Sequence, residues 1–327
     1  MKNYPIIIET PEGGAMRHFL SISDFSKDEI EAVLQIATEI EKNWQYCRNM
    51  NNKCISSFFA EPSTRTRFSF ERAMHWLGGR CVTAADASAS SSLTKGESLK
   101  DTFRTLGQYS DAIVMRHPDA NWPEIARAYS RVPVINAGSG SGEHPTQALL
   151  DLHTIKQKWS NTKGLKILLC GDLKNGRTIH SLIELLHIYN MQIYYCAATD
   201  HANCDLSIPE KYLERIPCKN IEICDVNDIL PEMDIIYMTR IQKERFKGIC
   251  DKLDFFKINK ENINFVKENA AILHPLPRNE EISEDIDDDP RADYHERQVR
   301  NGLYVRTALL DYMLYTSPYH RQYRTCS

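Results

Sequence analysis

Apolar positions along this 327-residue chain follow two alternating periods. Ile30, Val33, Leu34, Ala37 and Ile40 keep the spacing of one helix face, and Ser26-Lys27-Asp28-Glu29 ahead of them has the S-x-x-E form of a capping box. The apolar run Cys54 to Phe59 predicts a strand. A polar turn follows, then a helix with Phe70, Ala73, Met74 and Leu77 on one face, stopped at Gly78-Gly79 where positive φ is tolerated. Further strands are predicted at Cys81 to Ala84, Ala112 to Met115, Val132 to Ile135, Lys166 to Cys170 and Gln192 to Cys196. Three more are predicted at Ile221 to Cys224, Asp234 to Met238 and Ala271 to Leu273, and a last helix at about Arg297 to Tyr315 carries Leu303, Leu310 and Leu314.

Strands alternating with helices over short connections predict an α/β protein with two doubly wound domains and mainly parallel sheets. The boundary falls in the long helix after His144-Pro145, giving domains at 1–150 and 151–296, with a C-terminal helix within about 297–327. The Ala/Ser-rich segment Ala85 to Gly96 reads either as a disordered surface loop or as a binding loop. The acidic run Asp285 to Asp289 reads as a solvated loop.

Composition narrows the class. The net charge of −4 gives no footprint for nucleic acid or an anionic membrane, and no apolar run approaches a membrane span. Met1 to Met16 has only Ile6-Ile7-Ile8 as an apolar stretch, which fits neither a signal nor a transit peptide. Ten cysteines, at 47, 54, 81, 170, 196, 204, 218, 224, 250 and 326, contain no C-x-x-C pair. Free, reduced thiols in a cytosolic compartment are expected, and no metal site.

The stretch most informative about chemistry is Phe59-Ala60-Glu61-Pro62-Ser63-Thr64-Arg65-Thr66-Arg67. Between strand and helix, its hydroxyls, N–H groups and arginines converge at a helix N-terminus, where an anion is favoured. Two cations in a first turn oppose the helix dipole, so a bound phosphate explains them better than an N-cap with surface arginines. Gly171-Asp172-Leu173-Lys174-Asn175-Gly176-Arg177-Thr178 nearly fits the phosphate loop G-x-x-x-x-G-K-[ST], but Arg177 occupies the lysine position. A nucleotide-hydrolysing enzyme is therefore the alternative, weakened by the missing lysine. His144-Pro145-Thr146-Gln147, after a Gly/Ser run, offers an imidazole that is either structural or catalytic. Thr239-Arg240-Ile241-Gln242 follows a buried-looking strand, where α/β sheets bind ligands, while Lys243 to Arg245 reads as a solvated charge run. His274-Pro275-Leu276-Pro277-Arg278 ends another strand in a turn stiffened by two prolines.

In this order, PSTRTR, SSLTKGES, RHP, GEHPTQALLDL, GDLKNGRTIHS, MTRIQKERF and HPLPR make the chain resemble the aspartate carbamoyltransferase catalytic chains over about residues 17–315. Ornithine carbamoyltransferases share the STRTR and HP-x-Q elements, but typically carry cysteine at the position of Pro275 and lack the lysine-bearing loop. Both features favour aspartate. The resemblance implies transfer of the carbamoyl group of carbamoyl phosphate to the amino group of L-aspartate, giving N-carbamoyl-L-aspartate and phosphate in de novo pyrimidine biosynthesis. It implies a carbamoyl phosphate-binding first domain, an aspartate-binding second domain, a ligand cleft between them and a last helix packing back on the first.

The same resemblance implies roles for single residues. Ser63, Thr64, Arg65 and Thr66 match the phosphate contacts. Arg116 and His144, with Thr66, match contacts to the carbonyl oxygen, and Gln147 matches the carbamoyl-amide contact. Leu276 and Pro277 match backbone carbonyls facing the carbamoyl nitrogen, and Arg177, Arg240 and Gln242 match aspartate-carboxylate contacts. Lys95, also an aspartate contact, and a serine match a segment reaching in from a neighbouring subunit; ungapped counting selects Ser91, with Ser92 one step away. Arg65, Thr66, Lys95, Arg116 and His144 are the implied catalytic set, in a cytoplasmic homotrimer with shared sites that needs no metal or cofactor. One stretch departs from the family pattern: between Pro290 and Gln298, His295 replaces a phenylalanine and the segment is one residue longer. The ligand motifs are intact, which weighs against a non-catalytic binding module.

Overall fold

The computed structural model describes residues 17–43, 49–199, 206–242 and 254–316. They form two compact units: one runs to Leu149 and resumes at Asn301, the other is Leu150–Arg300. The first unit begins with α1 (Lys27–Lys42), whose N-cap Ser26 and Glu29 exchange the two hydrogen bonds of a capping box. Next come β1 (Cys54–Phe59), α2 (Thr64–Trp76), β2 (Arg80–Ala84), α3 (Ala87–Ser90) and α4 (Leu99–Tyr109). After these come β3 (Ala112–His117), α5 (Trp122–Tyr129) and β4 (Val134–Ser139). All four strands are parallel in the order β2-β1-β3-β4. Phe103, Ile113, Met115, Trp122 and Val134 form one side's core. Helical returns place every strand's carboxyl end at the same edge, which is why loops that follow strands can share a site.

Helix α6 (Pro145–Lys158) carries the chain into the second unit. There β5 (Lys166–Gly171), α7 (Arg177–Ile188), β6 (Gln192–Ala197), α8 (Glu210–Leu213) and β7 (Cys218–Asn220) are followed by α9 (Val226–Ile229), β8 (Ile235–Met238) and β9 (Ala271–Leu273). The sheet is parallel, ordered β7-β6-β5-β8-β9, over a core that includes Leu168, Ile236, Met238 and Ile272. Helix α10 (Arg297–Thr316) returns the chain to the first unit. There Arg306 donates to Ser69 Oγ at 2.9 Å, Tyr312 hydroxyl to Glu29 at 3.2 Å, and Tyr304 stacks on Trp76.

Several expectations need correction. Ile221 to Cys224 is not a strand: the edge pairing ends at Asn220, and Ile223–Asp225 forms a 3-10 turn that packs Ile223 against the core. Strand β4 starts two residues later than predicted and runs on to Ser139, because Asn136 satisfies polar groups there by bonding Leu20 O and Gly138 N–H. The Ala/Ser segment is α3 followed by a 3-10 turn, Ser92–Lys95. The acidic run is only partly solvated: Asp287 pairs with Arg278 and Asp289 with Arg291. Cys47, Cys204, Cys250, Cys326, residues 1–16 and Lys243 to Arg245 lie outside the described residues. The other six cysteines are free thiols, and among the described residues no helix is long and apolar enough to cross a membrane.

Candidate active site

The predicted site residues divide between the two units. In the first, Ser63 precedes α2 in extended conformation and its hydroxyl makes no cap bond to the helix. No acid stands in the first turn. The two arginines behave differently. Arg67 lies 3.3 Å from Glu71 one turn on and stacks over Phe68. Arg65 is exposed and has no hydrogen-bond, ion-pair or ring partner among the described residues. Packing lowers its pKa from the ordinary arginine value, but so exposed a guanidinium stays a cation throughout the working range. An uncapped helix start, exposed Thr64 and an uncommitted cation make an anion-binding arrangement.

Beside it, Thr66 is buried, with its hydroxyl 3.4 Å from His144 Nε2. The other ring nitrogen of His144 faces Thr146 Oγ1 at 3.4 Å. This buried imidazole opens α6, and Gln147 follows one turn into the helix, donating its backbone N–H to His144 O. Arg116, at the end of β3, points Nη1 at Ser63 Oγ at 3.5 Å and Nε at Glu61 at 3.3 Å. Thus side-chain contacts join Ser63 to Arg116 and Thr66 to His144. Lys95 is exposed and has no partner in its own chain's described residues. Ser91 hydroxyl donates to Ala87 O and accepts the Leu93 N–H, whereas Ser92 is exposed.

In the second unit, the loop after β5 is organised by Asp172, a fully buried carboxylate that sequence reasoning had passed over. Its Oδ1 accepts the Asn175 N–H at 2.9 Å, and its Oδ2 faces the Gln242 N–H at 3.4 Å. One acid therefore ties the loop before α7, which begins at Arg177, to the loop after β8 that bears Arg240 and Gln242. Gly171 makes this possible: its φ is +113°, and a Cβ there would lie 2.2 Å from Thr239 O. Leu276, after β9, has φ +54° and lies with Pro277 in the same unit. Gln298, which the sequence marks only as the end of the altered stretch, also has a structural role. It donates to Asp151 at 2.6 Å and accepts the His274 N–H at 2.9 Å, so the altered stretch before α10 still places a buried glutamine against the β9 loop. Tyr237 hydroxyl donates to the other Asp151 oxygen at 2.7 Å. The only sequence signals for these residues were polar types set in apolar surroundings.

Family models cover both units. Residues 17–157 match the aspartate/ornithine carbamoyltransferase carbamoyl-P binding domain, and residues 163–313 match the Asp/Orn binding domain of the same family. The chain belongs to the aspartate/ornithine carbamoyltransferase family. Among relatives, the aspartate carbamoyltransferase catalytic subunit of Thermococcus onnurineus is 44% identical over 306 residues, covering 90% of this chain and 96% of that one. That of Finegoldia magna is 42% identical over 301 residues, with the same coverage. Among solved structures, aspartate transcarbamoylase from Trypanosoma cruzi in complex with carbamoyl phosphate and aspartate superposes with a TM-score of 0.82. It is 35% identical, with 93% of this chain and 99% of that chain covered. The catalytic subunit of M. jannaschii aspartate transcarbamoylase gives 0.79 at 39% identity, covering 92% and 98%.

Proposed function

We propose that this enzyme transfers the carbamoyl group of carbamoyl phosphate to the amino group of L-aspartate, giving N-carbamoyl-L-aspartate and phosphate. The observation that carries the reading is the uncommitted Arg65 at the uncapped start of α2, beside the buried Thr66–His144 contact. Ser63, Thr64, Arg65 and Thr66 hold the phosphate, so the first unit is the carbamoyl phosphate domain. The aspartate nitrogen lone pair attacks the carbamoyl carbon, and the carbonyl π electrons move onto oxygen. Thr66, Arg116 and His144 stabilise that oxyanion. Collapse restores the carbonyl, breaks the C–O bond to phosphate, and the departing phosphate takes the amine's proton. Carbamoyl phosphate is already activated, so the demand on the protein is orientation and charge stabilisation.

In the second unit, Arg177, Arg240 and the Gln242 side chain hold aspartate carboxylates, while the Leu276 and Pro277 carbonyls, with Gln147 of the first unit, recognise the carbamoyl amide. A planar guanidinium suits a carboxylate in two-point contact. Radiolabelled transfer assays with aspartate and ornithine, run beside an ATPase assay, test the reading. Product with aspartate is expected; product with ornithine alone, or ATP hydrolysis without transfer, would sink it.

The working form is a cytoplasmic homotrimer of de novo pyrimidine biosynthesis, in which Lys95 completes a neighbour's site. Val82, 58% exposed on the edge strand β2, and Phe68, 54% exposed on α2, support a covering copy there. Because Ser91 is occupied within its own loop, Ser92 is the better candidate to accompany Lys95. Mixing Lys95→Ala and Arg65→Ala chains by dissociation and reassociation should restore activity at about a quarter of interfaces in a cyclic trimer. Hybrid trimers without recovery would place Lys95 outside the neighbouring site.

A further inference from the structure

At the end of β9, His274 has both ring nitrogens engaged. Nδ1 lies 2.7 Å from the Leu276 backbone nitrogen, and Nε2 lies 2.8 Å from Glu281 Oε1. A backbone N–H only donates, so Nδ1 is the acceptor and the ring proton sits on Nε2. Glu281 Oε1 therefore accepts from the ring and from the Asn279 N–H at 3.0 Å. Both side chains are sealed from water, at 0% and 1% exposure. Burial pushes the Glu281 carboxyl up, but its interactions with the His274 ring and with the Asn279 and Glu281 N–H groups outweigh it and leave the group below its usual range. The residue held this way is unusual. Leu276 sits at φ +54°, a region that costs a non-glycine residue on the order of 1 kcal/mol and persists only where its surroundings over-determine it. Those surroundings are the ring of His274, the Glu281 and Gln298 bonds that fix His274, and the apolar core against which Leu276 packs.

We infer that His274, locked by Glu281, is a positioning residue that aims the Leu276 and Pro277 carbonyls and thereby selects a donor bearing an amide NH2 over an acyl phosphate that lacks one. This rests on the proposed placing of those two carbonyls against the carbamoyl nitrogen. Neither side chain touches the reacting atoms in this assignment. Their effect is on where two acceptors point, so it registers in donor selectivity and not in phosphate affinity.

The test measures dissociation constants for carbamoyl phosphate, acetyl phosphate and inorganic phosphate by calorimetry. Acetyl phosphate replaces the NH2 group by a methyl of similar size. The unaltered enzyme should prefer carbamoyl phosphate by about tenfold, the worth of one or two net hydrogen bonds. His274→Gln keeps a donor within reach of Glu281 but loses the Nδ1 acceptor, and it should bring that preference to within about twofold with phosphate affinity unchanged. His274→Asn restores an acceptor to the Leu276 N–H, as in an Asx-turn, and should recover most of the preference. Histidine-selective 15N spectra of the unaltered enzyme, assigned by the signal missing from His274→Asn, should show the proton on Nε2. No preference in the unaltered enzyme would remove the placing of the two carbonyls and this inference with it. A preference surviving in His274→Gln, an equal weakening of all three ligands, or a proton on Nδ1 would each overturn the His274 assignment alone. If His274→Gln fails to fold, the 15N measurement decides.

Discussion

The turn after β1 and the turn after β5 look alike in sequence. Each joins a buried parallel strand to a helix, and each places an arginine in the first helical turn. They are built in opposite ways. After β1 the turn's one acid, Glu61, faces Arg116 at 3.3 Å, no acid stands in the first helical turn, the N-cap hydroxyl is not spent on the helix, and Arg65 has no partner among the described residues. After β5 the turn has an acid of its own, Asp172, whose carboxyl group accepts the Asn175 N–H and faces the Gln242 N–H of the loop after β8. A phosphate brought there would meet a buried carboxyl group that already takes one of the turn's N–H groups. Together with the missing lysine, this weighs against the ATPase alternative although the spacing of G-x-x-x-x-G-R-T nearly fits. In the proposed reading, anion recognition in the first turn uses backbone, hydroxyls and Arg65 together. In the second the proposed reading leaves it to side chains, Arg177 and Arg240, that suit a carboxylate.

The comparison breaks most easily at Arg65. Arg65→Ala should lower kcat/KM for carbamoyl phosphate by about a thousandfold, the scale of losing a preorganised charge contact, with unfolding unchanged. Near-normal steady-state kinetics would return Arg65 to the status of a surface cation. Next in size is Gly171→Ala, which puts a Cβ 2.2 Å from Thr239 O at φ +113° and should cost about 3 kcal/mol in urea unfolding. Gly164 also has positive φ, +81°, but open space around it. Gly164→Ala should cost only about 1 kcal/mol, and equal losses would mean that the Thr239 contact does not constrain the second turn.

A titration sharpens the contrast between the two units. His18 in the first and His153 in the second are each buried with a pKa lowered to about 4, chiefly by desolvation, with Arg127 and Lys156 respectively adding to it. The unfolded chain binds protons below about pH 6.5 while these rings remain neutral to about pH 4. Stability therefore falls with pH across that window, by about 2 kcal/mol per histidine between pH 7 and pH 5. His18→Gln and His153→Gln should each flatten the dependence of urea unfolding on pH; an unchanged slope would count against burial as the cause. The smallest effect belongs to the other arginine of the first turn. Arg67→Ala removes an i,i+4 pair with Glu71, a loss of about 0.3–0.5 kcal/mol by unfolding, with phosphate affinity kept. A collapse of phosphate affinity in Arg67→Ala would undo the division of labour between the two arginines.

Local chemistry decides some features outright, and those were readable along the chain. Period and capping residues specify α1, because Ser26 and Glu29 satisfy each other's backbone within four residues. Apolar runs specify the buried strands of both sheets, and clustered hydroxyls with arginines mark the β1 turn. The edge at β7 was misplaced because Ile221 and Ile223 carry the same pattern whether they pair in a sheet or pack from a turn. Asp287 reads as part of a solvated run because its partner Arg278, on the far side of a turn, becomes visible only when the chain is folded. The same holds for the groups that govern the second half of the site. Asp172 reaches a loop 70 residues away and Gln298 a helix 147 residues away, and Leu276 takes a conformation that no local signal favours for leucine. Sequence determines what a few neighbouring residues can settle among themselves. A buried carboxylate, a ring tautomer and an uncommitted arginine are decided by partners supplied or withheld by distant segments, and only the tertiary structure sets those.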